Sequence, residues 1–145
     1  MSNGPTLTRV PRLRDWSDRL ARFVILRWEE PFAWGVNDCA LHLADAVAAM
    51  TGADPLHELR GARSTALGAA RVARRIGGVP AALARAGLQP IDPALAQRGD
   101  AVLLHAQPGQ RHGVFAVCCG DQACAPGRWG IAWAPMSMAR QAWRV

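Results

Sequence analysis

Apolar side chains in the first part of the chain recur at the three- and four-residue spacing of an amphipathic helix. The first such stretch places its apolar face on Trp16, Leu20, Phe23, Val24 and Trp28. A cap at Asp15 or Ser17 can begin this helix, and it is predicted to continue through Glu30. Pro31 then ends it, because proline cannot continue a helix.

A second helix is predicted from about Asp38 to Met50, with a C-terminal stop at Thr51-Gly52. Asn37 is its predicted N-cap, since an asparagine oxygen can accept an amide proton of the first turn. Cys39 then lies within that first turn. The helix dipole and the free amides there favour a thiolate over a thiol.

Two shorter helices follow a loop. The third is predicted over residues 65–76 with Ser64 as its cap, and the fourth begins at Pro80 and closes at Gly87. Residues 89–98 contain two prolines and are interpreted as a connector.

From Gly99 onward the pattern changes to short apolar runs separated by turn residues. These runs predict strands over residues 101–105, 113–119, 122–125 and 129–134, with 142–145 added as a last edge. Helices come first and an antiparallel meander follows, which is typical of the α+β class. The predicted architecture therefore packs N-terminal helices on a C-terminal antiparallel sheet.

Length and hydropathy are those of a single globular domain. The 145 residues, half of them apolar, predict an extended arm over 1–13 and one domain over 14–145. No apolar run reaches the length of a membrane span, and the first residues lack the apolar core of a signal peptide. We therefore expect synthesis in a bacterial cytoplasm without a signal peptide, and no membrane partner.

The formal charge of +6 comes from 17 arginines and no lysine. Only Arg71, Arg74 and Arg75 cluster, and no basic recognition motif surrounds them, so a nucleic-acid partner is not expected. A solvated basic face explains the charge, and attraction to an anionic polymer such as the bacterial cell wall stays open.

The other three cysteines lie close together at Cys118, Cys119 and Cys124. Without a secretory signal we do not expect a disulfide framework. A zinc site formed by His112 and this cluster lacks the usual C-x2-C spacing. The sequence therefore predicts neither a metal nor a cofactor.

Cys39 and His112 are the residues most suited to chemistry. A thiol hydrolase needs a thiolate, a histidine that activates it, and a group that orients the imidazole. His112 stands just before a predicted strand, so its ring could reach a neighbouring helix end. Two alternatives stay open: Cys39 is an inert core cysteine, or His42, one turn later, is the base. Trp34 is predicted to form a cleft wall beside the cysteine.

The motifs that carry this chemistry resemble those of a known family. They are Pro31-Phe32-x-Trp34-Gly35, Asp38-Cys39, Gly99-Asp100 and His112-Gly113-Val114. Together they resemble the NlpC-type cell-wall peptidases, which are papain-like cysteine hydrolases. The closer likeness is to a compact branch found in phage and prophage tail regions, and it covers about Trp16 to Val145.

The resemblance implies a papain-like fold and a tail-associated hydrolase that cleaves peptide or amide bonds of peptidoglycan. Cys39 would be the nucleophile and His112 the base, with Gln122, Cys124 and Asp38 as orienting or oxyanion candidates. No cofactor is implied. The expected partners are peptidoglycan and other phage tail proteins, and the expected location is the virion tail.

The chain also departs from the family pattern. Phe32 stands where a tyrosine is usual, Ala40-Leu41 replaces a Ser-Gly pair, and Cys124 occupies the place of the polar orienting residue. These departures motivate an alternative function. In it, the chain is a catalytically degenerate structural component of a phage tail tip or baseplate.

Overall fold

The computed structural model describes residues 10–60, 65–110 and 112–145. Its α-helices are α1 (Trp16–Arg27), α2 (Cys39–Thr51), α3 (Ala66–Arg75) and α4 (Val79–Arg85). Its strands are β1 (Gln89–Ile91), β2 (Ala101–Leu104), β3 (Val114–Cys118), β4 (Gln122–Gly127), β5 (Gly130–Pro135) and β6 (Ala139–Arg144). The four helices precede a six-stranded antiparallel sheet, so the predicted α+β class is confirmed.

The order of strands in the sheet is β1-β6-β2-β3-β4-β5. The prediction that the last segment forms an edge is wrong, because β6 lies between β1 and β2. Trp143 pairs with Pro90 on one side and with Ala101 on the other, and it is buried. The segment interpreted as a connector supplies the edge strand instead, and an edge tolerates Pro90, which has no amide proton to donate.

Both faces of the sheet are covered. Helix α2 packs against both α1 and β3 and also contacts β4. The alternation of side chains along β3 sends Phe115 and Val117 toward this helical layer, whereas Val114, Ala116 and Cys118 join a smaller cluster on the opposite face. The helical layer contains most of the large core residues, including Leu41, Leu43, Met50, Leu83 and Trp143.

The end of the predicted arm is held against the domain. Residues 1–9 lie outside the described part of the chain. Arg12 donates to a carboxylate oxygen of buried Asp100 at 2.8 Å and to the carbonyl of Val145 at 2.9 Å, while the Leu13 amide donates to the carbonyl of Met50 at 2.8 Å. These contacts join the start of the domain to its last strand.

Two predicted caps can be compared with the structure. Ser64 lies outside the described residues, and Thr65 caps α3 by accepting the Gly68 amide at 3.0 Å. Asp15 is the N-cap residue of α1, but its side chain makes no capping bond and accepts from Arg19 instead, at 2.8 Å. The α3 cap is therefore stabilised by a side chain, and the α1 cap is not.

A candidate cysteine site at the start of the second helix

The turn before α2 is a compact aromatic segment. A bridge pairs Ala33 with Asn37, and Gly35 has φ of 73°, a left-handed conformation that favours glycine. The rings of Phe32 and Trp34 meet edge to face with centroids 4.7 Å apart. Trp34 is 39% exposed and stands at the surface close to Cys39 in the chain.

Asp38, not Asn37, caps α2, so the predicted cap was placed one residue too early. One carboxylate oxygen of Asp38 accepts the Leu41 amide at 2.9 Å, and the other accepts the Gly35 amide at 3.0 Å. Asn37 is buried and turns its side-chain amide back to donate to the carbonyls of Glu30 and Pro31. With both oxygens bonded to the backbone, Asp38 fixes the position of Cys39.

Cys39 is the first residue of α2 and is partly exposed. Burial of the sulfur raises the pKa of its thiol to about 11, and the charge of Asp38 adds to the effect. Backbone amides of Phe115, Ala40 and Cys39 itself act in the opposite direction. Desolvation outweighs them, so the thiol is the favoured form here, and the thiolate predicted from the helix start is not.

His112 lies in an exposed bend just before β3. Among the described residues, it makes no hydrogen bond or ion pair, and none joins it to Cys39. The contact between Cys39 and β3 falls at the backbone of Phe115, three residues farther along. Phe115 also points its ring into the helical layer. The structure thus brings the Cys39 sulfur to the backbone of β3 at Phe115.

The two orienting candidates on β4 have different environments. Gln122 is exposed, and its carbonyl accepts the Cys119 amide at 2.8 Å. Cys124 is buried in the helical layer with its sulfur 3.8 Å from that of Cys119. Among the described residues, neither side chain is hydrogen-bonded to His112.

His42 is a feature whose environment the sequence did not reveal. Its side chain is fully buried, and neither ring nitrogen has a hydrogen-bond partner within the part of the chain that the structure describes. Its ring packs against Phe23 with centroids 4.9 Å apart. Burial, together with the nearby charge of Arg27, lowers the pKa of the imidazole to about 4. His42 is therefore a neutral core residue, and its position between Leu41 and Leu43 in a largely apolar helix is a signal for this in the sequence.

The described residues contain neither a cluster of metal ligands nor a membrane-spanning helix. Over 10–60, 65–110 and 112–145, no three histidine, cysteine or acidic side chains are grouped to hold a metal ion. Within the same ranges, no helix combines the length and apolar character needed to cross a bilayer.

Comparison with known proteins gives a single family. Residues 11–145 match the model of DUF6950, described as a domain of unknown function. No protein in the curated set matches the chain. Because the match spans nearly the whole sequence, the chain belongs to the DUF6950 family.

Proposed function

We propose that this member of the DUF6950 family has a papain-like fold of the NlpC type and serves as a noncatalytic structural component of a phage tail tip or baseplate. The observation that carries the proposal is the environment of Cys39. Among the described residues no hydrogen bond joins its sulfur to His112, and burial of the sulfur raises the pKa of the thiol despite the nearby backbone amide of Phe115. The fold is supported by the cysteine at the start of a helix that packs on an antiparallel sheet.

A thiol hydrolase depends on a thiolate and a histidine that together form an ion pair. With a pKa of about 11, the Cys39 thiolate is about one part in 10,000 at pH 7. No histidine donates a hydrogen bond to its sulfur among the described residues. Phe32 also lacks the hydroxyl that the resemblance implies for the oxyanion site. Each difference removes one part of the catalytic machinery while leaving the packing intact.

A structural role also requires a surface for partners, and the structure has one beside β5, the outer strand of the sheet. Trp28, Trp129 and Trp133 form an exposed tryptophan patch along β5, with Trp129 82% exposed. The rings of Trp28 and Trp133 lie 6.1 Å apart. Clustered exposed aromatic side chains mark protein interaction sites. This patch is consistent with docking to another tail protein.

Peptide-resolved alkylation tests the proposal. Trypsin yields residues 28–60 with Cys39 as their one cysteine, so iodoacetamide labelling at pH 6 can be followed for this thiol alone. We expect labelling in the folded protein to be about 100-fold slower than in the urea-unfolded chain, because the pKa rises from 9.0 to about 11. Faster labelling of the folded protein would identify a poised nucleophile and overturn the proposal.

A second candidate is the hydrolase itself, favoured by the amides of Phe115, Ala40 and Cys39 that surround the sulfur. In this function Cys39 attacks the carbonyl carbon of a peptidoglycan peptide or amide, and His112 transfers the thiol proton to the leaving amine. Water then hydrolyses the thioester, and no cofactor is needed. The His112 ring would first have to reach the sulfur.

Release of soluble fragments from purified peptidoglycan tests the second candidate. A hydrolase loses release in both Cys39→Ala and His112→Ala, whereas the matched control Cys119→Ala retains it. A structural protein releases nothing in any variant. Equal release by wild type and Cys39→Ala would exclude Cys39 as the nucleophile.

A further inference from the structure

Two cysteines away from the Cys39 site lie side by side in the β3–β4 hairpin. The sulfur atoms of Cys119 and Cys124 are 3.8 Å apart and share a hydrogen bond. Backbone pairing holds them there, since Val117 is opposite Cys124 and the Cys119 amide donates to the carbonyl of Gln122 at 2.8 Å. The two thiols therefore meet because of the register of the hairpin.

The two thiols differ in access and in acidity. Cys119 is partly exposed, whereas Cys124 is buried. The hydrogen bond from the Cys124 thiol lowers the pKa of Cys119, with a smaller effect from the charge of Arg98. The same contact, together with burial, raises the pKa of Cys124. Cys119 is thus the more accessible of the two thiols and the one that forms the reactive thiolate more readily.

We propose that Cys119 and Cys124 form a dithiol–disulfide couple that exchanges with low-molecular-weight disulfides. The Cys119 thiolate attacks one sulfur of the reagent, forming a mixed disulfide and releasing one thiolate. The Cys124 thiol then loses its proton and attacks the Cys119 sulfur. The internal disulfide forms, the second reagent thiol leaves, and the reagent has been reduced by the two electrons that the protein gives up.

The two sulfurs already lie on the same face of the hairpin, where Cys119 is opposite Gln122 and Cys124 is opposite Val117. Their separation must fall from 3.8 Å to about 2.05 Å for the disulfide to form. Cys118 cannot take the place of Cys119 without a change of strand register. Its side chain lies in the cluster on the other face of the sheet, where its sulfur contacts the carbonyl of Gly120 at 3.3 Å.

Oxidation of the full-length protein with oxidised glutathione tests the couple. After blocking free thiols with N-ethylmaleimide, tryptic peptide 112–128 reports all three cysteines of the hairpin and excludes Cys39. We expect this peptide to lose the mass of two hydrogens and to carry one maleimide. The Cys118→Ser control should form the disulfide equally well, whereas Cys119→Ser and Cys124→Ala should not form it.

Several outcomes would overturn the proposal. They are a disulfide that persists in Cys119→Ser, a glutathione adduct that is never resolved, and a peptide that stays fully reduced at high oxidised glutathione. Circular dichroism of each variant separates loss of the reaction from loss of the fold. Because the readout lies on a peptide without Cys39, it is independent of the proposed function.

Discussion

The alkaline unfolding of this protein reports directly on the state of Cys39. Burial raises the pKa of its thiol from 9.0 to about 11, and unfolding restores the ordinary value. Because the folded state has the higher pKa, the stabilisation is fully present below pH 9 and is lost as the pH rises through 11. The loss amounts to about 3 kcal/mol, since one pKa unit corresponds to ~1.4 kcal/mol.

The composition of the chain makes this effect measurable. Lysine, tyrosine and cysteine are the side chains that ordinarily titrate between pH 9 and 11, and the sequence contains neither lysine nor tyrosine. The remaining alkaline titration comes from the chain terminus and the three hairpin cysteines. Replacing Cys39 leaves those groups in place, so the difference between wild type and variant isolates the one thiol.

Urea unfolding under reducing conditions, repeated from about pH 8 to 11, measures this difference. Cys39→Ser is the matched control, because serine keeps the size of the side chain and does not titrate in this range. We expect the free energies of unfolding of wild type and variant to converge by about 2 kcal/mol between pH 8 and 11, since the folded-state thiol is only half ionised at pH 11. A constant difference would show that the thiol is not desolvated. A wild-type advantage that grows with pH would show a stabilised thiolate and would favour the hydrolase.

Three further predictions concern residues around the site. His42 is buried with a pKa lowered from 6.5 to about 4, so its contribution is present above pH 6.5 and about 3 kcal/mol is lost as the pH falls to 4. His42→Leu should reduce the fall in the free energy of unfolding between pH 6.5 and 4, measured by urea titration. An unchanged dependence on pH in this range would contradict the burial of His42 as a neutral ring. Asn37→Ala removes the two hydrogen bonds that the side-chain amide donates in the turn before α2, and it should lower the free energy of unfolding by about 2 kcal/mol. A loss no larger than that of the exposed control Val36→Ala would refute the role of this side chain. Arg12→Ala removes the closer of two ion-pair partners of the buried Asp100 carboxylate, leaving Arg144 at 3.8 Å, and should lower the free energy of unfolding by about 3 kcal/mol in urea titrations. The variant Arg12→Ala/Asp100→Asn should recover part of the loss if the poorly compensated charge is the cause.

Much of the local structure could be predicted from the sequence, because it depends on neighbours in the chain. Helical spacing and proline or glycine stops located α1 and α2 to within a few residues, and short apolar runs between turn residues located β2 to β5. The position of Cys39 in the first turn of a helix was predicted for the same reason. These features follow from backbone conformation and hydrophobic period alone.

The tertiary structure decided which of these elements meet and what environment each side chain receives. Strand β6 lies inside the sheet because Trp143 gains burial on both sides, which no local pattern of six residues specifies. The register of β3 sends Phe115 and Val117 to the helical layer and Ala116 to the opposite face, and a shift of one residue would reverse every side chain of the strand. The pKa of Cys39 likewise follows from tertiary packing, because burial of the sulfur outweighs both the amides of its own helix and the amide of Phe115, more than seventy residues away in the chain.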